Sequence, residues 1–537
     1  MTHLGRRRIG RRAFLGLGAL GITGAGAAAA IAARLAGRPA PAAKTTLASP
    51  DAPRRSPRRA AAVPENSRAG DPDWEIRHFG PADAIEGYAG AASVLTGEPF
   101  PLFVSSTSAG FRVTAFRLGW YGGDGARLLW RSGPLRGHRQ RAARRVSPTP
   151  GPANTVQAGW DPVVQVPTDD WPPGSYLLRL DADSGAQRYV PVTIRSASAA
   201  GKLVIKNCVP TWQAYNTWGG YDLYAGPGQD YATRSLAVSL DRPYDLSGAD
   251  MFLTYERNVV KLAERMGLPL AYATSMDIAA NPRLLDGASA LISPGHDEYW
   301  TPAERAHVTA ARDVGVNLAF LGANAMFRRI RLGATPLGGA RLVICYKTSY
   351  TLDPLYGKDN AQVTSDWRDP PDADPESSLT GTLYEGYPAV APYVVASPRS
   401  WVFAGTPVTE GASFGHLVGV EYDRVNPGYP VPRPIQVLSH SPLVCQGVAS
   451  FGDSAYYTHP GGAGVFNAGT MRWVETIFGD SPHGISASAT AFVRQVTANV
   501  LRAFADGPAA GGYPAHDNLE AMGEFAGDPL GSPASLQ

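Results

Sequence analysis

Cysteine is nearly absent: Cys208, Cys345 and Cys445 are the only three in 537 residues. That excludes a disulfide framework, and their spacing matches no zinc motif. One bridge between two of them is compatible with an exported protein. Charge is also sparse, at 18% of residues, and the net value of +3 hides an asymmetry. Residues 1–60 hold 12 Lys+Arg and one acid, so the remainder carries 49−12 = 37 bases against 46−1 = 45 acids, or −8. A mildly acidic body argues against a nucleic-acid-binding surface. Phosphate-cradling glycine patterns are missing, because Gly219-Gly220 and Gly461-Gly462-Ala463-Gly464 stand in the wrong context. The most conspicuous turn reads Pro294-Gly295-His296, with neither the serine of a nucleophile elbow nor an amidotransferase cysteine.

The basic N-terminus has its own logic. Arg11-Arg12-Ala13-Phe14-Leu15-Gly16 opens an uncharged Gly/Ala-rich run to Ala33, the pattern of a twin-arginine export signal over residues 1–38. The run is long enough to serve as an uncleaved membrane anchor. Pro39–Pro64, rich in Pro, Ala and Arg, reads as a disordered linker reaching residue 68. Export predicts a secreted or envelope-associated protein. The pathway carries folded chains, often with a cofactor installed, which favours a bound metal.

Residues 69–198 read as all-β. Phe111–Trp120 alternates apolar and polar residues, and Trp171–Leu180 returns through Asp181–Gly185 to Tyr189–Ile194, a hairpin suited to an Ig-like sandwich. Pro191 suits an edge strand. Five arginines within 136–145 read as a solvated loop rather than an acidic-partner patch.

From residue 199 to 506 strands alternate with helices, which predicts a mostly parallel sheet. Strands are expected at Leu203–Asn207, Leu270–Thr274 and Val316–Asn324, and a buried strand from Ala290 runs into the turn Pro294-Gly295-His296, with helices at Tyr255–Met266 and Pro302–Gly315, the latter capped by Thr301. Later strands include Arg341–Lys347, Tyr393–Ala396, Trp401–Phe403, His416–Asp423 and Ile435–Leu438. A closing helix spans Ala489–Phe504, and a disordered tail is expected over 507–537.

In an open parallel sheet ligands bind outside the carboxyl ends of the strands. His296, Asp297, Glu298 and Tyr299 follow one such end, Asn324 ends the next strand, and Thr211–Tyr224, crowded with aromatics and amides, follows the first. The plain reading of the acids is a polar turn stabilised by the following helix.

The run Thr211-Trp-Gln-Ala-Tyr-Asn216, Gly295-His-Asp-Glu-Tyr-Trp300, Leu321-Gly-Ala-Asn324, Cys345-Tyr-Lys347 and Gly419-Val-Glu-Tyr-Asp-Arg424 resembles the C-terminal domain of the N,N-dimethylformamidase large subunit, in its exported actinobacterial branch. The resemblance covers about residues 200–505 and implies a glutamine-amidotransferase-like α/β domain after a β-sandwich. It also implies a mononuclear iron (Fe³⁺) bound by two tyrosines and one glutamate. By motif order these are Tyr299, Tyr346 (with Tyr350 as the alternative) and Glu421. His296 and Glu298 are then the candidate bases, and Asn324 and Lys347 the candidate oxyanion donors. The turn carries an extra acid, Asp297 or Glu298, where the amidase has proline. Two phenolates and a carboxylate would neutralise Fe³⁺, which would polarise an amide carbonyl and acidify bound water.

The expected activity is hydrolysis of a C–N (amide) bond. The expected partner is a small-molecule amide or an envelope-derived substrate; self-association is left open. The amidase works with a small subunit that this chain lacks, so its substrate does not transfer. Two further readings remain: a non-catalytic envelope-binding protein using the aromatics of Trp212–Tyr224, and a carbohydrate hydrolase using Glu298 and Glu421.

Overall fold

A computed structural model describes residues 64–147, 153–479 and 481–522. The export signal and nearly all of the linker expected before residue 69 lie outside the described residues. Among the described residues no helix is long and apolar enough to cross a membrane.

The first part of the chain forms two packed sheets. Ile85–Ala89, Phe100–Ser106 and Pro162–Val166 make one antiparallel sheet. The other runs Ser93–Val94, Gln187–Ile194, Gly174–Ala182, Gly110–Leu118, Ala126–Arg131, antiparallel except for its first pair. Alternation along Gly174–Ala182 explains the packing. Tyr176, Leu178 and Leu180 face the other sheet beside Ile85, Leu102 and Val113. Leu177, with Phe116, Leu118 and Tyr189, faces the opposite way into the core of the α/β part. This sheet is therefore buried on both faces. Pro191 pairs with Leu177 on one side, while the short outer strand reaches only Thr193 and Ile194, so its missing N–H breaks no ladder. The arginine loop is solvated: Arg139 and Arg141 make exposed pairs with Asp83 and Asp161.

The second part is a seven-stranded sheet in the order Leu270–Thr274, Leu203–Asn207, Ala290–Gly295, Asn317–Gly322, Gly464–Asn467, Val448–Thr458, Ile435–Cys445. Its first four pairings are parallel and its last two antiparallel. The molecule is thus a mixed α/β fold with several antiparallel sheets and one mixed, mostly parallel sheet. The two parts are locked together. Arg117 reaches Glu264 at 2.5 Å, both buried, and Asn207 Oδ1 accepts from Ser175 and Thr193 at 3.0 and 2.8 Å.

Several local expectations are corrected. Helix 255–266 is two helices, Asp250–Tyr255 and Arg257–Arg265. The break lies at Glu256, whose buried carboxylate accepts from Asn207 Nδ2, Cys208 N and Trp212 Nε1. Trp401–Phe403 is a 3₁₀ turn rather than a strand, and the glycine pattern Gly461–Gly464 leads directly into the fifth strand of the sheet, Gly464–Asn467. Residues 507–522 of the expected tail are docked: Asn518 Oδ1 accepts from Val437 N at 2.7 Å, and Leu519 is buried. The three cysteines are buried and unbridged.

Candidate active site

Three strand ends build the site. After Leu203–Asn207 the chain enters the short helix Val209–Ala214, and Thr211 Oγ1 accepts from Glu298 N and Tyr299 N at 3.1 and 3.4 Å. After Ala290–Gly295 the chain turns through Gly295 at φ +54°, where a Cβ would sit 2.3 Å from Tyr255 O. Only glycine fits there. After Asn317–Gly322 a left-handed Asn324, φ +59°, donates its backbone N–H to Asp423 Oδ1 at 2.7 Å. Thr301 then caps the helix Pro302–Asp313, accepting from Glu304 N at 3.0 Å.

At the centre lies the Glu298 carboxylate. Tyr215 donates to its Oε2 at 2.6 Å, and Tyr224 lies 2.7 and 2.8 Å from its two oxygens. The Tyr215 and Tyr224 hydroxyls are 2.9 Å apart, and Tyr299 donates to Tyr224 at 2.8 Å. Arg328 Nε donates to Glu298 Oε1 at 3.0 Å, its guanidinium also paired with Asp366. His296 Nε2 is 3.6 Å from Glu298 Oε2, and its Nδ1 is 4.0 Å from Glu421 Oε2. Asn324 Nδ2 donates to that same Glu421 oxygen at 2.8 Å. Lys347 Nζ sits 3.0 Å from the Tyr224 ring centroid.

Burial pushes charges apart here. It would raise the Glu298 carboxyl, but Arg328, then His296, Lys347 and the Tyr215 hydrogen bond outweigh it and hold it below the usual value. Burial, then the Glu298 charge, pushes Glu421 well above the usual carboxyl range and raises Tyr215, Tyr224 and Tyr299 well above an ordinary phenol. Burial lowers His296, against the pull of Glu298, and burial and Arg328 drive Lys347 well below an ordinary amine. A carboxyl pushed down, a second pushed up and an imidazole pushed down thus share one buried cluster, an arrangement suited to proton handling.

The expected site residues divide. His296, Glu298, Asn324, Lys347, Tyr299 and Glu421 come together. Of the three expected metal ligands, Tyr346 packs its ring with Ala153, Ala237, Leu342 and Ile344, in a core cluster other than that of Tyr299. Tyr350 stands on a 3₁₀ turn against Tyr356. Tyr299 and Glu421 are linked through Tyr224, Glu298 and His296. Asp297 faces away, bound by Lys206 Nζ and Ser293 Oγ at 2.5 Å each, because consecutive side chains diverge. Tyr215, Tyr224 and Arg328 were missed as site residues. The available signal was the placement of Thr211–Tyr224 at the carboxyl end of the first strand. Trp212 of that stretch is buried against Tyr244 and Phe252, so it offers no open stacking platform.

The family described as "N,N-dimethylformamidase beta subunit-like, C-terminal" matches residues 112–483, well over half of the chain. The chain belongs to this family. As a dimethylformamidase-β-like protein it has an amide-hydrolase-related ancestry. The match begins within the strand Gly110–Leu118 of the first part. No curated protein matches the chain. Solved structures match weakly. A crystal structure of a Paenibacillus sp. cycloisomaltooligosaccharide glucanotransferase complexed with cycloisomaltoheptaose is 10% identical, over 25% of this chain and 18% of that one, with a TM-score of 0.14. This chain therefore spans under a fifth of that enzyme's length, and so low a score carries no argument about fold or substrate.

Proposed function

We propose that the cluster around Glu298 hydrolyses a carboxamide with the help of a hard metal ion, iron being the one the family resemblance implies. The supporting observation is the convergence of the Tyr215 and Tyr224 phenol oxygens on the Glu298 carboxylate, within 2.6–2.9 Å of it and of each other. Two phenols and one carboxylate are the donor set expected from the resemblance, supplied by Tyr215, Tyr224 and Glu298 instead of Tyr299, Tyr346 and Glu421. Anionic oxygen donors suit a hard cation, so the residues fit the group. When bound, the metal would supply Lewis acidity toward the carbonyl and toward water.

The remaining residues do the positioning and proton handling. His296, between Glu298 and Glu421, is placed to accept a proton from water. Asn324 holds Glu421, which can pass a proton to the departing nitrogen. Lys347 Nζ has no hydrogen-bond partner and can donate to the substrate oxygen. The reaction balances as RCONHR′ + H₂O giving RCOOH and R′NH₂: the C–N bond breaks, the acyl carbon gains the water oxygen, and the nitrogen gains a proton.

We also read the first part as an Ig-like sandwich, the second as glutamine-amidotransferase-like, and the chain as exported through its Arg11-Arg12 signal. The two-sheet packing and the parallel strand order support the first two readings, and the sequence alone supports the third.

The test is elemental analysis and a visible spectrum on the full chain purified without added metal. Near-stoichiometric iron and a phenolate-to-iron band are expected, lost in Tyr215→Phe, Tyr224→Phe and Glu298→Gln but not in Tyr346→Phe. Colourless, metal-free, folded wild-type protein would overturn the metal reading.

A further inference from the structure

We infer that Lys206 is a positioning residue for Glu298: its buried ammonium bridges the two ends of the segment that carries Glu298 and so sets where that carboxylate stands; this rests on the reading of Glu298 given above. Lys206 lies near the carboxyl end of Leu203–Asn207, and its side chain is wholly buried. Nζ is 2.5 Å from Asp297 Oδ2 and 2.7 Å from Glu304 Oε1. It also stands 3.6 Å from the centroid of the Trp300 ring. Asp297 immediately precedes Glu298, and Glu304 lies in the first turn of Pro302–Asp313. One cation thus grips both ends of residues 297–304 and touches the middle. Burial would neutralise the amine, but Asp297 and Glu304 outweigh it and hold Lys206 above the ordinary amine value.

The bridge stands behind the site rather than in it. Ser293 Oγ donates to Asp297 Oδ2 at 2.5 Å, and Trp300 Nε1 and Met326 N donate to the Asp297 carbonyl at 2.9 and 2.8 Å. With the Asp297 side chain and carbonyl both tied down, Glu298 leaves the chain on the other side, toward Tyr215 and Tyr224. As a source of stability the bridge is poor. Two carboxylates share one ammonium, and Asp297 Oδ1 and Glu304 Oε2 are buried with no hydrogen-bond partner. Apolar packing of similar volume would stabilise the fold as well. What apolar packing cannot supply is direction. A group that binds or reacts has to be held within about half an ångström of its working position, by neighbours whose own geometry is locked. The Lys206 bridge is such a lock, fixed to a central strand of the sheet and acting on the residue next to Glu298.

The test is iron affinity, titrated on the full chain and followed in the visible band, together with denaturant midpoints. The variants are Lys206→Met and a triple variant, Lys206→Met with Asp297→Asn and Glu304→Gln, that leaves no charge stranded. Thr301→Ala, which weakens the same helix start and keeps all three charges, is the control. We expect iron affinity to fall about 10–100-fold in the folded triple variant and to stay at the wild-type level in Thr301→Ala. A merely structural role would lower the midpoints and leave the iron affinity of the folded triple variant unchanged; that result overturns the inference and leaves the metal reading standing. Asp297→Asn, the same shape without the charge, repeats the test should the triple variant not fold. If wild type takes up no iron, the metal reading fails by itself, and crystal structures of wild type and variant judge the inference. A Glu298 carboxylate still 2.6–2.8 Å from the Tyr215 and Tyr224 hydroxyls in the variant overturns it, and one withdrawn from them supports it.

Discussion

Three tyrosines, a few ångströms apart, divide the work at this site. The Tyr215 and Tyr224 hydroxyls touch the Glu298 carboxylate, whereas the Tyr299 hydroxyl donates to that of Tyr224. Tyr299→Phe should keep the iron and shift the phenolate band to longer wavelength, because a phenolate relieved of a donor is easier to oxidise. A loss of iron in that variant, measured by elemental analysis, would make Tyr299 itself a ligand. A second residue-scale prediction concerns Glu385. Both of its oxygens are buried without a hydrogen bond, Arg424 lies 3.8 Å away, and burial pushes its carboxyl up to about 7. A raised folded value means that the stabilising contribution is complete below the ordinary carboxyl value and lost as pH climbs through 7. Glu385→Gln should therefore be more stable than wild type at pH 8, by on the order of 1–3 kcal/mol, with the gain vanishing near pH 4. Denaturant midpoints at the two pH values check this.

At the scale of elements, the turn after Ala290–Gly295 decides where Glu298 points. Gly295→Ala would drive a Cβ against Tyr255 O and force a left-handed alanine. Iron retention and turnover should both fall, with a stability loss of roughly 1–3 kcal/mol. Thr301→Ala removes the cap of Pro302–Asp313 and should cost about 1 kcal/mol while sparing the visible band, since the cap faces Glu304 and not the cluster. The strand bounds Leu203–Asn207 and Leu270–Thr274 were legible from apolar runs, whereas the strand from Ala290 extends to Gly295, through the Pro294-Gly295 read as turn. The break at Glu256 was not legible, because it depends on a buried carboxylate finding three donors, two of them from Asn207 and Cys208.

Across the whole molecule, the sheet containing Gly174–Ala182 is core for both parts. Unfolding should therefore be one cooperative transition in a calorimeter, not two. Arg117→Met would strand the buried Glu264, which Tyr272 also contacts, and should cost about 3–5 kcal/mol. A separable lower-temperature transition in wild type would count against the shared core.

Apolar periodicity, local in the chain, determined the all-β part, the alternating strand–helix part and the strand ends at which polar residues gather. It also put His296, Glu298 and Asn324 at the correct sheet edge, since that edge follows from strand direction alone. Only the tertiary structure decided which tyrosines join them. Motif order pointed to Tyr346, whose ring packs in another apolar cluster, and gave no sign of Tyr215 and Tyr224, which reach Glu298 from the neighbouring strand end. A phenol's role depends on where its oxygen lands. That position is fixed by packing between segments about 80 residues apart (Tyr215 and Glu298 are separated by 83), not by any spacing within one of them.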